Sequence, residues 1–343
     1  MSNQELRGAV IGCGYFARNH LHAWQEVDGA RIVALADRRI ERARELAAVF
    51  AIDTVDDDAA RLLARGDFDF VDIVTTPESH RGLVEIAASR GVAVICQKPM
   101  APSMDDARAM VDACARSGVS FFVHENFRWQ YPMRALHAAS RDIGPLHYAR
   151  LSFRSGFDIY ARQPYLANDE RFILCDLGVH LLDLVRFFLG EVERLSCETR
   201  RVNPRIRGED LATLLVRTRG GATAVVELSF ASKPVAEHFP QTLVILEGRD
   251  GTAELAPSYR LVTRSPGGVD ERDVAPPRRA WATPPGDVIQ DSVVATCQHW
   301  VDCTRAGVDA ETTGADNLRT LELVFGAYES AASGSPFFPA ANR

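Results

Sequence analysis

The sequence lacks the features that mark membrane, secreted and nucleic-acid-binding proteins. No apolar run reaches the length of a membrane-spanning helix without a charge, and the start, "MSNQELRGAVIGCGYF", has no basic stretch before a long apolar run. We therefore expect neither a secretion signal nor a membrane anchor. The net charge of −7 leaves no basic excess that would favour nucleic acid or an anionic membrane as a partner.

Paired cysteines are also missing. The 7 cysteines are odd in number and scattered along the chain, and no two of them form a C-x-x-C pair. This pattern argues against a disulfide framework and against a structural zinc site. We expect a protein of the reducing cytoplasm.

The first 125 residues alternate short β-rich runs with helical segments, in a chain long enough for two domains. Alternation of this kind predicts crossover connections and a doubly wound parallel sheet, in which ligands gather at the carboxyl ends of the strands. The predicted strands are 8–12, 31–37, 68–74, 92–96 and 119–123, and the predicted helices lie near 16–27, 40–49, 57–65, 79–89 and 103–117.

The alternation stops after residue 125, which predicts two domains, 1–125 and 126–343. The second domain reads as α/β with a mostly antiparallel open sheet, because successive strands follow one another without intervening helices. Its predicted strands are 146–154, 194–202, 211–218, 222–230, 241–248 and 251–256. Helices are predicted over 176–189, 287–306 and 314–332, and a surface loop over 265–287.

A glycine-rich turn ends the first strand and leads into a helix. In this G-x-G-x-x-A turn, Gly12 permits the tight bend, Gly14 leaves room for a pyrophosphate, and Ala17 lets helix and strand pack closely; Tyr15 and Phe16 lie between them. Glycine pairs after strands are common, so the turn alone is weak evidence. Its place after the first strand strengthens the prediction of a dinucleotide site.

Asp37 ends the second strand, at the spacing where dinucleotide-binding folds place an acid on the ribose hydroxyls. A carboxylate there repels a 2′-phosphate and so favours NAD. Arg38 and Arg39 follow directly and keep NADP open. A helix-capping aspartate is the alternative, and it is compatible with cofactor binding.

Polar residues also follow the next predicted strand. Thr75, Thr76 and Pro77 close it, and His80 lies in the helix that comes after. Hydroxyls and helix-start amides at this edge suit the nicotinamide half of a cofactor. A plain strand-to-helix turn explains these residues nearly as well.

The stretch "ICQKP" places Gln97 and Lys98 at the same edge, where we assign both to the cofactor site. A lysine beside a nicotinamide is suited to hydrogen-bond a substrate hydroxyl and to stabilise negative charge as its proton leaves. A solvated lysine is the alternative.

The stretch "DLGVHLLD" brings three titratable groups into a helical segment that is otherwise apolar. At 100° per residue, Asp176, His180 and Asp183 share one narrow sector. Buried charges are costly unless paired, so the groups either neutralise one another or face a polar cavity. A salt bridge on the helix surface and a metal site are the alternatives.

Together these motifs resemble the family of glucose-fructose oxidoreductase, inositol dehydrogenase and MocA. The resemblance spans essentially the whole chain and rests on the glycine turn, Asp37, the Lys-Pro pair and "DLGVHLLD". It implies a Rossmann domain, a C-terminal domain that pairs through its open sheet into homodimers or homotetramers, and hydride transfer between a sugar or polyol and NAD or NADP. One departure is Gln97, which stands where the family commonly has glutamate.

The resemblance assigns the catalytic roles to Lys98, Asp176 and His180, in a cleft between the domains. His180 removes the hydroxyl proton, Asp176 orients it or binds the sugar, and Lys98 polarises the same oxygen. Asp183 fixes the helix or the tautomer of His180. Hydride transfer needs no metal, so none is expected.

The segments "HENFRWQYP" and "SFRSGFDIY…QPYL" resemble the branch of the family that contains D-apiose dehydrogenases, which oxidise a pentose at its anomeric carbon. An inositol or a hexose remains an alternative substrate. So do a glycoside-cleaving enzyme with tightly held NAD and a sugar sensor without turnover. A structural role is an equal alternative for each further candidate substrate residue: Glu125, Asn126, Arg128, Trp129, Arg154, Asp158 and Tyr165.

Overall fold

The structure is a computed structural model and describes residues 5–340. The chain forms two compact units. The first contains the described residues up to Asn126 together with Ser292–Arg319, and the second contains Phe127–Asp291 with the described residues from Thr320 onwards. The sequence pattern predicts residues 292–319 in the C-terminal domain instead, because helical periodicity shows which face is buried but not which core buries it.

The first unit is built on six parallel strands, with helices between them in the chain. The strands are β1 (Leu6–Ile11), β2 (Ala30–Ala36), β3 (Thr54–Asp56), β4 (Phe70–Ile73), β5 (Ala93–Gln97) and β6 (Phe121–His124). Their order in the sheet is β3-β2-β1-β4-β5-β6. The helices between them are α1 (Ala17–Glu26), α2 (Ile40–Phe50), α3 (Ala59–Leu63), α4 (Pro77–Ser89) and α5 (Met104–Ser117).

The second unit contains eight strands and the helices that cover one face of their sheet. Its strands are β7 (Leu146–Arg154), β8 (Val192–Arg200), β9 (Leu211–Thr218), β10 (Thr223–Ser229), β11 (Leu243–Gly248), β12 (Gly251–Ala256), β13 (Arg260–Ser265) and β14 (Gly268–Asp273). The order is β14-β13-β12-β11-β7-β10-β9-β8. The β7 and β10 pair is parallel, and the other pairs are antiparallel.

The remaining helices follow the chain order α6 (Tyr131–Ala139), α7 (Ile159–Arg162), α8 (Val179–Leu189), α9 (Asp287–Ala306) and α10 (Gly314–Ser333). A π-helical turn, Leu174–Gly178, leads directly into α8. Short 3₁₀ turns lie at Phe127–Trp129, Ser140–Ile143, Pro164–Asn168 and Pro257–Tyr259.

Alternation along β7 decides which face of the second sheet is covered. Ala149, Leu151 and Phe153 are buried in the core that also contains most of α8, whereas Arg150 and Arg154 are exposed on the opposite face. Period-two alternation of this kind is expected where one sheet face is open. A parallel Rossmann sheet and a mostly antiparallel open sheet confirm the predicted fold class.

Three strands of the structure are not predicted from the sequence. β3 is only three residues long, and β13 and β14 lie at the edge of the second sheet. The prediction of a loop over 265–287 is wrong for β14, where every residue is exposed and no apolar alternation marks the strand.

Candidate active site

The glycine turn after β1 has the geometry of a dinucleotide site. Gly12 has φ of 97°, and a Cβ atom there would lie 2.5 Å from the carbonyl oxygen of Val74. A Cβ atom on Gly14 would meet no atom within 4 Å, so space is open beside the turn. No side chain caps the N-terminus of α1 at Phe16, which leaves first-turn amides for an anion. These features fit a pyrophosphate.

Asp37 ties the end of β2 to this turn. Its Oδ2 accepts a hydrogen bond from the Cys13 N–H at 2.8 Å, and its Oδ1 accepts one from the Arg39 N–H at 2.8 Å. Because α2 begins at Ile40 with Arg39 as its N-cap, Asp37 is not the helix-cap residue itself. Burial, and next the Asp37 carboxylate, raise the pKa of the Cys13 thiol to about 12. Asp37 keeps further lone pairs for ribose hydroxyls.

The residues after β4 begin α4 and hold a neighbouring loop. Thr76 is the N-cap of α4, and Pro77 is its first residue. His80 is buried, with Nδ1 3.0 Å from the Met100 carbonyl oxygen and Nε2 3.2 Å from the Thr75 carbonyl oxygen. Burial lowers the pKa of His80 despite these two carbonyls. His80 thus joins the loops that follow β4 and β5.

Lys98 directly follows the last residue of β5. It is half-buried, and its backbone N–H donates to Gln97 Oε1 at 3.1 Å. The peptide bond between Lys98 and Pro99 is cis. Lys98 is one of two lysines in the chain, with Lys233. The loop therefore presents one of the few amines of this protein at the carboxyl end of the parallel sheet.

In the second unit, the predicted polar stripe begins on the π-helical turn. Asp176 lies in the turn Leu174–Gly178 and is half-buried. His180 lies in the first turn of α8, is 3% exposed, and stacks on the Phe127 ring with centroids 3.8 Å apart. Single π turns within helices are frequent at functional sites. The turn and the stacked ring define where these two side chains sit.

Asp183, the third group of the polar stripe, forms an ion pair that does not include Asp176 or His180. The fully buried carboxylate accepts from Arg128 Nε at 2.7 Å and from Arg128 Nη2 at 2.5 Å. Thr320 Oγ1 donates to it at 3.2 Å, and Arg186 Nη1 lies 3.9 Å away. These contacts are the structural role that the sequence analysis keeps as the alternative for Arg128. They join α8 to the turn Phe127–Trp129 and to α10.

Two further candidates, Glu125 and Asn126, are buried in the first unit. Asn126 Nδ2 donates to Ser292 Oγ at 2.7 Å. In the second unit, the Arg134 guanidinium lies 3.5 Å from the centre of the Trp129 ring. These contacts hold the side chains in defined positions.

The remaining candidates are exposed. Asp158 caps α7 by accepting from the Ala161 N–H at 3.2 Å, and the Tyr165 hydroxyl donates to Gln163 Oε1. Arg154 lies on the open sheet face, in a cleft of about 310 Å³ that Lys233 and His238 also line. The structure therefore brings Arg154 together with loop residues that the sequence analysis did not single out.

Sequence reasoning missed Glu209, which holds the π-helical turn. Its carboxylate accepts from the backbone N–H groups of Phe172 at 3.3 Å and Leu174 at 3.1 Å, and from the Tyr328 hydroxyl at 2.7 Å. Burial first, and then neighbouring groups that include Glu209, raise the pKa of Tyr328. An acid between a loop and a strand carries no local sequence signal for such a role.

Within residues 5–340, no group of three or more His, Cys, Asp or Glu side chains is placed to hold a metal ion. No helix in the described part of the chain has the length and apolar character needed to cross a membrane.

Comparison with known proteins agrees with this geometry. The model of an oxidoreductase family with an NAD-binding Rossmann fold, Gfo/Idh/MocA, matches residues 6–125, and the model of the GFO/IDH/MocA C-terminal domain matches residues 134–254. The chain belongs to the Gfo/Idh/MocA family. As a member of this family, it is an NAD-dependent dehydrogenase.

Relatives within Gfo/Idh/MocA share about half of its residues. A D-apiose dehydrogenase from Paraburkholderia graminis is 51% identical, over 96% of this chain and 89% of its own. A D-apiose dehydrogenase from Rhizobium rhizogenes is 50% identical, over 97% of both chains. An oxidoreductase from Agrobacterium radiobacter, solved in complex with NAD⁺, L-tartaric acid and magnesium, has a TM-score of 0.96 at 50% identity, over 98% of both chains.

These matches confirm four predictions from the sequence: the Gfo/Idh/MocA family with its D-apiose dehydrogenase branch, the fold class, the NAD cofactor and the dehydrogenase. Of the residues assigned to NAD from the sequence, those at the strand ends of the first unit are suited to hold it: Gly12, Gly14, Tyr15, Phe16, Ala17, Asp37, Arg38, Thr75, Thr76, Pro77 and Lys98. The side chains of His80 and Gln97 are buried and hydrogen-bonded to other groups of the protein instead.

Proposed function

We propose that this Gfo/Idh/MocA protein oxidises an aldose at its anomeric carbon to the lactone, with D-apiose as the substrate and NAD as the cofactor. The observation that carries the proposal is the identity of 51% and 50%, over nearly the whole chain, with two proteins named D-apiose dehydrogenase. Lys98, Asp176 and His180 supply the side-chain chemistry that such an oxidation needs.

His180 acts as the general base. An unprotonated ring nitrogen takes the proton of the anomeric hydroxyl, and the stack on Phe127 fixes the plane of the ring. Histidine suits this step because its reference pKa of about 6.5 lies near the operating pH. Asp176 hydrogen-bonds the sugar or orients His180. NAD, when bound, supplies the acceptor for the hydride of the anomeric carbon.

Lys98 acts on the same substrate oxygen as His180. An ammonium donates a hydrogen bond and stabilises the negative charge that develops as the proton leaves. An arginine at this position could not exchange a proton with the substrate, since its guanidinium stays protonated in proteins. The place of Lys98 at the end of β5, close in sequence to the cofactor residues, supports this role.

The test is the absorbance of reduced nicotinamide after the protein is mixed with NAD or NADP and a panel of sugars. The panel contains D-apiose and other aldopentoses, aldohexoses and inositols. Reduction with D-apiose supports the proposal. Reduction with a hexose or an inositol alone overturns the substrate, and bound NAD with no net reduction for any sugar favours a glycoside-cleaving enzyme or a sensor.

We propose that the enzyme prefers NAD to NADP because of Asp37. Replacing Asp37 with alanine removes the acceptor for the ribose hydroxyls and the charge that repels a 2′-phosphate. We expect the ratio of kcat/KM for NAD to that for NADP to fall about tenfold or more, since one charge-assisted hydrogen bond contributes about 1.5–3 kcal/mol. Initial rates with both cofactors measure it. Equal losses with NAD and NADP would remove the basis for the preference.

We also propose that the chain forms a homodimer or homotetramer through the open face of the second sheet. Leu215, 56% exposed, pairs with Val225, and the same row continues through Arg150 to Ile245. Leu215 and Val225 on one side of Arg150, and Ile245 on the other, are apolar, which suits contact with a second copy. Light scattering of the purified protein should give a mass of two or four chains; a monomer would contradict the proposal.

The seven cysteines form no disulfide in the structure. Free thiols are typical of proteins kept in reducing compartments. We therefore propose a cytoplasmic location.

A further inference from the structure

A cluster of buried polar side chains lies inside the first unit, and the mechanism proposed for Lys98, Asp176 and His180 does not use it. Asp72 in β4, His20 in α1 and His124 in β6 are fully buried, and Gln97 at the end of β5 is 7% exposed. Four elements thus contribute one side chain each. Polar groups in such a core are stable only when hydrogen bonds satisfy them.

The first part of the cluster is an aspartate with two donors. Asp72 Oδ2 lies 2.6 Å from His20 Nδ1 and accepts from Trp24 Nε1 at 2.7 Å. Because a carboxylate only accepts, His20 carries a proton on Nδ1. Burial alone would raise the pKa of Asp72, but the hydrogen bonds that it accepts from His20 and Trp24 lower it below its usual value.

The second part is the Gln97 amide, whose orientation its neighbours determine. Oε1 accepts from the Lys98 backbone N–H at 3.1 Å, so this end must be the oxygen. Nε2 then lies 2.7 Å from His20 Nε2 and 3.4 Å from His124 Nδ1. Both of these ring nitrogens must be acceptors, because an amide NH₂ only donates.

We propose that Gln97 is a positioning residue for Lys98, and that the pair of Asp72 and His20 holds Gln97 in place. The proposal rests on the catalytic role given to Lys98 above. Every hydrogen-bonding group of the Gln97 amide is engaged, one of them on the lysine's own backbone. This bond sets the direction in which the lysine leaves β5. Small displacements of a catalytic group cost large factors in rate.

A carboxylate at position 97 would change the protonation of the cluster. It has no donor for the two acceptor nitrogens, so His20 or His124 must take up a proton or shift its tautomer. Other titratable groups nearby include Asp72, Cys96 in β5, the fully buried Glu125 that follows His124, and Cys297 in α9, whose Sγ lies 3.8 Å from His124 Nε2. Burial, and then Asp72, raise the pKa of both thiols well above the usual value, so they stay protonated at neutral pH.

The test compares two variants at position 97, with D-apiose and NAD as the substrates. Gln97→Met keeps the volume but loses every hydrogen bond, and we expect kcat to fall about tenfold or more while both KM values stay within about threefold. Gln97→Glu keeps the acceptor for the Lys98 N–H. We expect it to keep more of the parent kcat than Gln97→Met does, because this bond to the lysine backbone is retained.

Thr312→Val is the matched control. Thr312 is fully buried in the same unit, and its Oγ1 donates to the Val123 carbonyl oxygen at 2.8 Å. The variant should lower the melting temperature with kcat close to that of the parent. If Gln97→Met keeps kcat within threefold, or loses it only as far as Thr312→Val does, the proposal is overturned. If Gln97→Met does not fold, Gln97→Leu is assayed in its place, and a kcat within threefold of the parent overturns the proposal.

Lys98→Met, assayed in parallel, distinguishes a failure of the catalytic role of Lys98 from a failure of the positioning role of Gln97. An inactive Lys98→Met with a normal Gln97→Met overturns the positioning role alone. A Lys98→Met variant with the turnover of the parent overturns both the catalytic role of the lysine and the positioning role of Gln97. If D-apiose is not turned over, the sugar with the highest rate in the panel takes its place.

Discussion

Replacement of His180 with alanine should lower kcat by about 10²–10⁴-fold, the range typical for loss of a general acid or base. The ring is the proposed proton acceptor, and its stack on Phe127 at 3.8 Å shows that the structure holds it in one plane. Binding of NAD should be close to that of the parent, because the cofactor residues belong to the first unit. Steady-state rates and a separate NAD titration measure the two effects.

His137→Ala is the matched control for this variant. His137, in α6 of the same unit, also packs on a phenylalanine, with its ring 4.3 Å from that of Phe187. It has no role in the proposed chemistry, so the loss of its aromatic contact should leave kcat near the parent value. Turnover of His180→Ala within a few-fold of the parent would show that another group removes the proton.

Replacement of Arg128 with methionine should lower the free energy of unfolding by about 3–5 kcal/mol, which is the usual cost of removing one partner of a buried ion pair. The Asp183 carboxylate would lose its two hydrogen bonds to Arg128 while still fully buried. Denaturant titration of both proteins measures the change. The double variant Arg128→Met with Asp183→Leu should recover much of the loss, because it also removes the buried carboxylate that has lost Arg128.

Arg217→Met provides a control on the same unit. Arg217 pairs with Glu193 at 3.2 Å, and both side chains are half exposed, so the pair should contribute only about 0–1 kcal/mol. An Arg128→Met protein that is as stable as the parent but has lost its affinity for the sugar would reverse the conclusion. Arg128 would then act on the substrate, which is the other of the two roles that the sequence leaves open.

Local patterns explain why so much of the fold follows from the sequence. The alternation of apolar runs and helical segments in the first unit, and the period-two alternation in β7 to β12, are properties of neighbouring residues. β14 has no apolar residue facing a core, and its pairing depends on β13 alone. Its strand conformation is a consequence of the sheet edge, which the local sequence does not describe.

The candidate site likewise contains residues that the local sequence reveals and residues whose partners it does not reveal. The glycine turn, Asp37 and Lys98 are visible because each stands where a strand ends. The partners of Arg128 and Gln97 are not visible, since Asp183 lies 55 residues from Arg128, and His20 lies 77 residues from Gln97. A signal was nevertheless present: Asp72 stands inside an apolar strand of a parallel sheet, where a charge must find buried partners.

The discontinuity of the first unit bears on how the chain is made. Trp300 in α9 is buried, with its ring 4.8 Å from that of Phe70 and 6.3 Å from that of Trp24. During synthesis, Trp24 and Phe70 leave the ribosome long before this third ring exists. The nascent first unit therefore exposes part of its apolar core until all of Phe127–Asp291 has been translated. Over that interval it depends on chaperones, or on its own partial stability, to avoid aggregation.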